Sequence, residues 1–157
     1  MTVRLGQPTT RKPPFKFSAY TRVGFSDTDA QGIVYYGRYL PYFDHARVEY
    51  LRHLGLLEHE VGEEEFVLRA SHVIYEAPAR FDDLLEVFVR TKRIGRTSVT
   101  AEFCAYRVAD DVLMCSAEQT LVLVDLAERR PTAIPEGFRR AVAELEGADL
   151  ELAVPLA

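Results

Sequence analysis

The chain reads DTDAQGIVYYGRYL over residues 27–40, a polar, turn-forming segment that runs directly into an apolar helical pattern. Beyond it, apolar side chains recur at steps of three and four residues, the spacing of a helix with one buried face. They are Tyr39, Phe43, Ala46, Tyr50 and Leu54. Proline is tolerated only in the first turn of a helix. Pro41 therefore predicts that the helix begins close to Tyr36–Tyr39, and Gly55 predicts its end.

Strand-like alternation is found on both sides of this helix. Before it, apolar side chains occupy every second position over residues 15–26. After it, the same period predicts four more strands. They are 66–79, 84–94, 97–108 and 112–125. A shorter helix is predicted from Pro135 to Leu145. The pattern predicts an α+β fold in which a five-stranded antiparallel sheet packs one face on the long helix.

A chain of 157 residues is long enough for one compact domain. Three prolines interrupt its first 14 residues, so 1–14 is predicted to be a flexible leader. The domain is predicted to cover 15–146, and a C-terminal tail to cover 147–157. A single helix cannot cover both faces of such a sheet. We therefore expect a second subunit to bury part of it, which gives a homodimer at least.

Composition excludes several classes of protein. A net charge of −5 argues against a sequence-independent nucleic-acid binder. No apolar run approaches the ~20 residues of a membrane span and no secretory segment is recognisable, so we expect a cytoplasmic protein without stable membrane insertion. The four histidines lack the spacing of zinc ligands, which predicts no metal site. Cys104 and Cys115 are expected to be reduced thiols, with a cross-strand disulfide as the alternative.

The polar segment places two carboxylates, Asp27 and Asp29, just before the amino terminus of the long helix. Free N–H groups and the positive end of the helix dipole can stabilise a developing oxyanion, and a nearby carboxylate can attack a carbonyl or activate water. Thioester hydrolysis requires those two parts. On spacing alone, the pattern favours the simpler interpretation that both aspartates only make turn and cap hydrogen bonds.

Residues 27–40, continuing into 46–52, closely resemble the hotdog thioesterases of the 4-hydroxybenzoyl-CoA type, and most closely the branch that includes the Tol-Pal-associated acyl-CoA thioesterase. Residues 77–87 and 94–98 resemble the same family, and the similarity covers roughly residues 15–127. The resemblance implies the hotdog fold and hydrolysis of an acyl-CoA to CoA and a carboxylic acid. It also implies no cofactor, since CoA is part of the substrate, and a homodimer or a tetramer of dimers.

The same resemblance implies roles inside the motif. Asp29 would be the catalytic carboxylate, either as a nucleophile that forms a mixed anhydride or as a general base on water, and Asp27 would be structural. Gly32 would permit the tight backbone approach into the helix. The backbone N–H of Tyr36 would polarise the thioester carbonyl. Many members of the Tol-Pal-associated branch have histidine in place of Tyr36 and tyrosine in place of Phe25, so this chain departs from that branch at both positions.

A basic turn over residues 91–98 joins two predicted strands. Basic side chains and exposed N–H groups could hold the phosphates of CoA, or the turn could be a solvated hairpin. With the resemblance, Arg96 and Thr97 become the best candidates for phosphate contacts, with Ser98 beside them.

Two other functions remain open from the sequence. The thioester donor could be an acyl carrier protein, as in hotdog enzymes that release fatty or polyketide acyl chains. Alternatively, the chain could bind acyl-CoA without hydrolysing it, although an intact Asp29 argues against that interpretation.

Overall fold

The computed structural model describes residues 3–59 and 62–157. Within those residues the chain forms eight strands: β1 (Gly6–Pro8), β2 (Phe17–Arg22), β3 (Glu64–Tyr75), β4 (Leu84–Ile94), β5 (Ser98–Arg107), β6 (Val112–Asp125), β7 (Arg130–Pro131) and β8 (Glu151–Leu152). The same residues contain two α-helices, α1 (Tyr39–Leu54) and α2 (Glu136–Glu146). Neither helix is long and apolar enough to cross a membrane.

The strands form one sheet in the order β1-β2-β4-β5-β6-β3, and each of these neighbouring pairs is antiparallel. Helix α1 packs on one face of the sheet, which we call the inner face, mainly against β2 and β4. Its buried stripe includes Phe43, whose ring centroid lies 5.0 Å from that of Phe103 on β5. A sheet wrapped around a long central helix confirms the predicted α+β hotdog fold.

The ends of α1 agree with the sequence signals. A 3₁₀ turn over Tyr36–Arg38 leads into the helix, and Pro41 lies in its first turn. Gly55 ends the helix with a left-handed backbone (φ 72°) and donates its N–H to the carbonyls of the last turn. Glycine adopts this conformation without the steric penalty that a side chain imposes.

The predicted count of five strands was too low. The five long strands are present, and β4 has the predicted bounds. The additional strands β1, β7 and β8 are two or three residues long, which is too short for a period of two to be visible. Strand β3 ends before the predicted residue 79, because the N–H groups of Glu76 and Ala77 both bond to the carbonyl of Met114 (2.8 and 3.1 Å).

Residues 3–14 of the predicted flexible leader are attached to the sheet, and residues 1 and 2 lie outside the described part of the chain. Strand β1 lies inside that segment and pairs with β2 along the edge of the sheet. Arg11 forms an ion pair with Glu86, which is only 4% exposed and also accepts a hydrogen bond from Ser18 (2.6 Å). Lys12 lies over the ring of Tyr106 at 4.0 Å from its centroid. Proline lacks the backbone N–H that a strand donates, but the contacts of Arg11 and Lys12 hold this part of the chain on the sheet.

The predicted tail over 147–157 is also attached to the sheet. Strand β8 pairs in parallel with the end of β4. Lys16 donates to the carbonyl of Glu146 (2.7 Å) and to the carboxylate of Asp149 (2.8 Å), so β2 and the start of the tail are held together.

The two cysteines lie on adjacent strands but on opposite faces of the sheet. Cys104 is level with Ser116, and Cys115 is level with Ala105, so alternation directs the two side chains in opposite directions. Both are free thiols. Burial raises the pKa of Cys104 to about 11 and that of Cys115 to about 12. The arrangement agrees with two reduced thiols and not with the alternative disulfide.

Candidate active site

The polar segment folds into a short hairpin that carries Asp29. The Asp29 N–H donates to the carbonyl of Ile33 (3.0 Å), and Thr28 forms a β-bridge with Val34. The Gly32 N–H donates back to the carbonyl of Asp29 (2.9 Å), which closes the turn. We call residues 28–34 the catalytic hairpin. It contains Asp29, the residue whose catalytic role the resemblance implies.

Gly32 occupies a left-handed conformation, with φ of 77°. A residue with a Cβ pays roughly 1–2 kcal/mol to adopt this conformation. The turn therefore explains why glycine stands at this position, as the sequence predicts, and it keeps Asp29 at the base of a tight loop.

We expect Gly32→Ala to lower the free energy of unfolding by about 1–2 kcal/mol in a denaturant titration. Gly137→Ala is the matched control, because an added Cβ meets nothing within 4 Å at either position and only Gly32 has positive φ. The control should leave stability unchanged or raise it by up to ~1 kcal/mol. Equal stability of the two variants would contradict the role of the backbone conformation.

The carboxylate of Asp29 is half-buried and partly anchored. Its Oδ1 accepts the N–H of Gln31 (2.8 Å), a local bond that aspartate often makes two residues along a turn. One oxygen is thus held by the hairpin. The side chain lines an open cleft that also includes Tyr36, Tyr39 and Tyr75.

The turn Tyr36–Arg38 presents the start of the helical segment to the same cleft. The first N–H groups of a helical turn have no partner inside that turn, so the turn itself does not use the Tyr36 N–H. The Tyr75 O–H donates to the carbonyl of Tyr36 (3.0 Å), which holds the Tyr36–Gly37 peptide, the next one along the chain. Asp29 and Tyr36, the two residues predicted to be catalytic, therefore line one cleft.

Asp27 faces the protein and not this cleft. Its Oδ2 accepts the O–H of Tyr42 and the N–H of Gly24, both at 2.8 Å. The Nε of Arg38 lies 3.7 Å from its Oδ1. Two aspartates separated by one residue thus have different surroundings, and the contacts agree with a structural role for Asp27.

Two other tyrosines of the cleft, Tyr39 and Tyr75, were not predicted as site residues. Tyr39 is almost completely buried, and burial raises its pKa to about 12, so it stays protonated at neutral pH. Burial also raises the pKa of Tyr75. Glu76, which follows β3, adds a second carboxylate to the cleft wall. Helical spacing could place Tyr39 near the start of α1, but no local pattern indicates that the end of β3 meets it.

The predicted phosphate contacts lie at the other end of the sheet. The Arg96 side chain is exposed in the β4–β5 turn, where Arg139 donates to the Arg96 carbonyl (3.1 Å). Ser98 on β5 pairs with Val122 on β6. Tyr75, which lines the cleft, pairs with Cys115 on the same strand β6. The two ends are ~23 Å apart at ~3.3 Å per residue. One chain alone therefore does not bring Arg96, Thr97 and Ser98 to Asp29.

No cluster of three or more histidine, cysteine, aspartate or glutamate side chains in the described part of the chain could hold a metal ion. The ionisable side chains that line the cleft are carboxylates and phenols, and these support acid–base and nucleophilic chemistry.

Residues 23–142 match the family model described as the thioesterase-like superfamily. The chain is 35% identical over 134 residues to the acyl-CoA thioesterase YbgC of Haemophilus influenzae, covering 83% of this chain and 96% of that protein. It is 37% identical over 120 residues to the acyl-CoA thioester hydrolase YbgC of Escherichia coli O6:H1, covering 74% and 88%. The structure of a 1,4-dihydroxy-2-naphthoyl-CoA thioesterase from Synechocystis matches with a TM-score of 0.75 at 23% identity, covering 82% and 96%, which shows the same fold.

Proposed function

Because the chain belongs to the thioesterase-like superfamily, we propose that it hydrolyses acyl-CoA thioesters to CoA and a carboxylic acid, with Asp29 as its catalytic carboxylate. The observation that carries this proposal is the cleft that Asp29 and Tyr36 both line. A carboxylate in one cleft with the first residue of a helical turn is suited to a reaction in which a carbonyl oxygen gains negative charge.

In the proposed reaction, the thioester oxygen accepts a hydrogen bond from the Tyr36 N–H. An Asp29 oxygen attacks the carbonyl carbon, the C–S bond breaks, and CoA departs as the thiolate. The acyl group is then joined to Asp29 as a mixed anhydride, which water hydrolyses. In the alternative route, Asp29 removes a proton from a water molecule that attacks the same carbon. Both routes consume one water and give the same two products. Neither requires a cofactor beyond the CoA of the substrate.

We propose further that the functional unit is a homodimer formed through β3. This strand is the longer of the two edge strands of the sheet, and Leu68 and Tyr75 on its inner face remain 47% and 49% exposed. A long edge strand with unpaired backbone groups is a template for another strand. Two copies of β3 related by a two-fold axis would pair antiparallel and extend the sheet through both subunits.

This dimer would complete the site. Antiparallel pairing places the Tyr75 end of one β3 beside the Val67 end of the other. Val67 is level with Val122, and Val122 with Ser98, so the basic turn lies about two strands, or ~10 Å, from that end. Asp29 of one subunit would then act with Arg96 of the partner subunit, which would hold the CoA phosphates.

A turnover assay tests the proposed activity. We expect release of free thiol from a panel of acyl-CoA esters that covers short, long and aromatic acyl groups, at kcat values within the ordinary enzyme range of about 1–10³ s⁻¹. The same acyl groups on an acyl carrier protein provide the comparison. Faster turnover of the carrier-protein esters would reassign the donor. Tight binding of acyl-CoA with no thiol release across the panel would refute hydrolysis.

A further inference from the structure

Asp27, the residue before the catalytic hairpin, connects that hairpin to helix α1. Its Oδ2 accepts two hydrogen bonds of 2.8 Å, one from the Gly24 N–H and one from the Tyr42 O–H. Tyr42 is a residue of α1 and is 5% exposed, so this carboxylate–phenol bond lies where water competes little. A hydrogen bond to a charged group is stronger than one between neutral groups. The side chain of Asp27 thus fixes the segment that leads into the catalytic hairpin to the first turn of α1.

The backbone of Asp27 continues this connection into the site. Its carbonyl accepts the N–H of Tyr35 (2.9 Å), the residue that precedes the Tyr36 amide. The next pairs along the same ladder are Thr28 with Val34 and Asp29 with Ile33. Asp29 therefore lies on one side of a short ladder and Tyr36 directly follows its other side, and the pair of Asp27 with Tyr35 is the first rung.

We infer that Asp27 and Tyr42 are positioning residues that set the distance between the Asp29 carboxylate and the Tyr36 N–H. This inference rests on the proposed hydrolase function. Neither side chain lines the cleft, so neither reaches the substrate. They act through the ladder, because displacement of Asp27 moves Tyr35 on one side and Asp29 on the other. A displacement of ~1 Å at a reacting group can cost ~100-fold in rate.

The phenol of Tyr42 is suited to this role over a wide pH range. Burial first, and then the hydrogen bond to Asp27, raise the pKa of Tyr42 well above its usual range. The hydroxyl therefore keeps its proton and remains a donor. The ring also packs edge-on against Tyr39, with centroids 5.7 Å apart, so removal of the hydroxyl alone leaves the aromatic packing in place.

Tyr42→Phe tests the inference, with Tyr50→Phe as the matched control. Both tyrosines are buried on α1, and both donate to a carboxylate, since the Tyr50 O–H bonds to Glu146 at 2.5 Å. Only the partner of Tyr42 is joined to the catalytic hairpin. We expect Tyr42→Phe to lower kcat about tenfold with KM within about twofold. Tyr50→Phe should show a similar drop in Tm and an unchanged kcat.

Variants of Asp27 provide a second comparison. Asp27→Asn retains an oxygen acceptor for Gly24 and Tyr42, whereas Asp27→Ala retains none. We expect Ala to lower kcat ~100-fold and Asn to recover about tenfold of that loss. Losses in kcat that simply follow the drop in Tm across all four variants, including Tyr50→Phe, would overturn the positioning role.

Amide hydrogen exchange gives a readout that does not depend on turnover. The Tyr35 N–H should exchange at least about tenfold faster in Tyr42→Phe and in Asp27→Ala than in the parent, and at the parent rate in Tyr50→Phe. Unchanged Tyr35 exchange in both site variants would refute the ladder connection even if the parent protein were inactive. An inactive parent with the predicted exchange pattern would instead contradict the hydrolase proposal alone.

Discussion

Asp29→Asn is expected to lower kcat on an acyl-CoA at least about 1,000-fold, the size of loss expected when a nucleophile or general base is removed. The amide of asparagine neither attacks a carbonyl nor removes a proton from water. Its oxygen can still accept the Gln31 N–H, so the catalytic hairpin should keep its geometry. We therefore expect Tm to stay within a few degrees of the parent and acyl-CoA binding, measured by calorimetry, to be retained.

The control for this variant is Asp111→Asn. Asp111 is an exposed turn residue with φ of 57°, a conformation that asparagine accepts as readily as aspartate. The control should retain full turnover. Full turnover in Asp29→Asn as well would exclude the carboxylate from the chemistry, whereas a large loss of Tm would show that Asp29 serves the fold.

Mixing two inactive variants is expected to restore activity if the site is shared between subunits. Arg96→Glu reverses the charge offered to the CoA phosphates and should lower kcat/KM about 100-fold. In a mixed dimer with Asp29→Asn, one of the two sites would contain the intact Asp29 of one subunit and the intact Arg96 of the other. Random association makes half of the dimers mixed, so about a quarter of parent activity should return at substrate concentrations below KM.

The control mixture combines Asp29→Asn with Asp29→Ala. Both lesions then affect the same part of the site, so no dimer contains an intact one and activity should stay at the level of the single variants. The same absence of recovery in the Asp29→Asn and Arg96→Glu mixture, with subunit exchange verified by mass spectrometry, would contradict a site formed by two subunits.

Much of the architecture could be predicted because local signals agree with the tertiary structure. Pro41 and Gly55 have fixed backbone requirements, and these delimit α1 whatever packs around it. A tight turn leading into a helix keeps Asp29 and Tyr36 at one cleft, whereas their catalytic roles were implied by the resemblance and stay predictions. The tight turn at Gly32 was predictable from the glycine itself, because glycine is the residue that most readily adopts the left-handed conformation found there.

Contacts between distant segments could not be predicted in the same way. The attachment of β1 depends on the ion pair of Arg11 with Glu86, which lie 75 residues apart, and three prolines favour a flexible segment on local grounds. The different surroundings of the two aspartates depend on Tyr42, which no spacing rule connects to Asp27. The position of Arg96 relative to the cleft depends on the order of the strands in the sheet. The alternation of apolar residues along a single strand does not indicate that order.

The opposite orientations and raised pKa values of Cys104 and Cys115 have a consequence for a reaction that releases a thiol. Thiol–disulfide exchange requires a thiolate and an existing disulfide. The two sulfurs of this chain are not positioned to form an internal disulfide, and near neutral pH they remain protonated. Liberated CoA should therefore leave as the free thiol and not accumulate as a mixed disulfide on the protein.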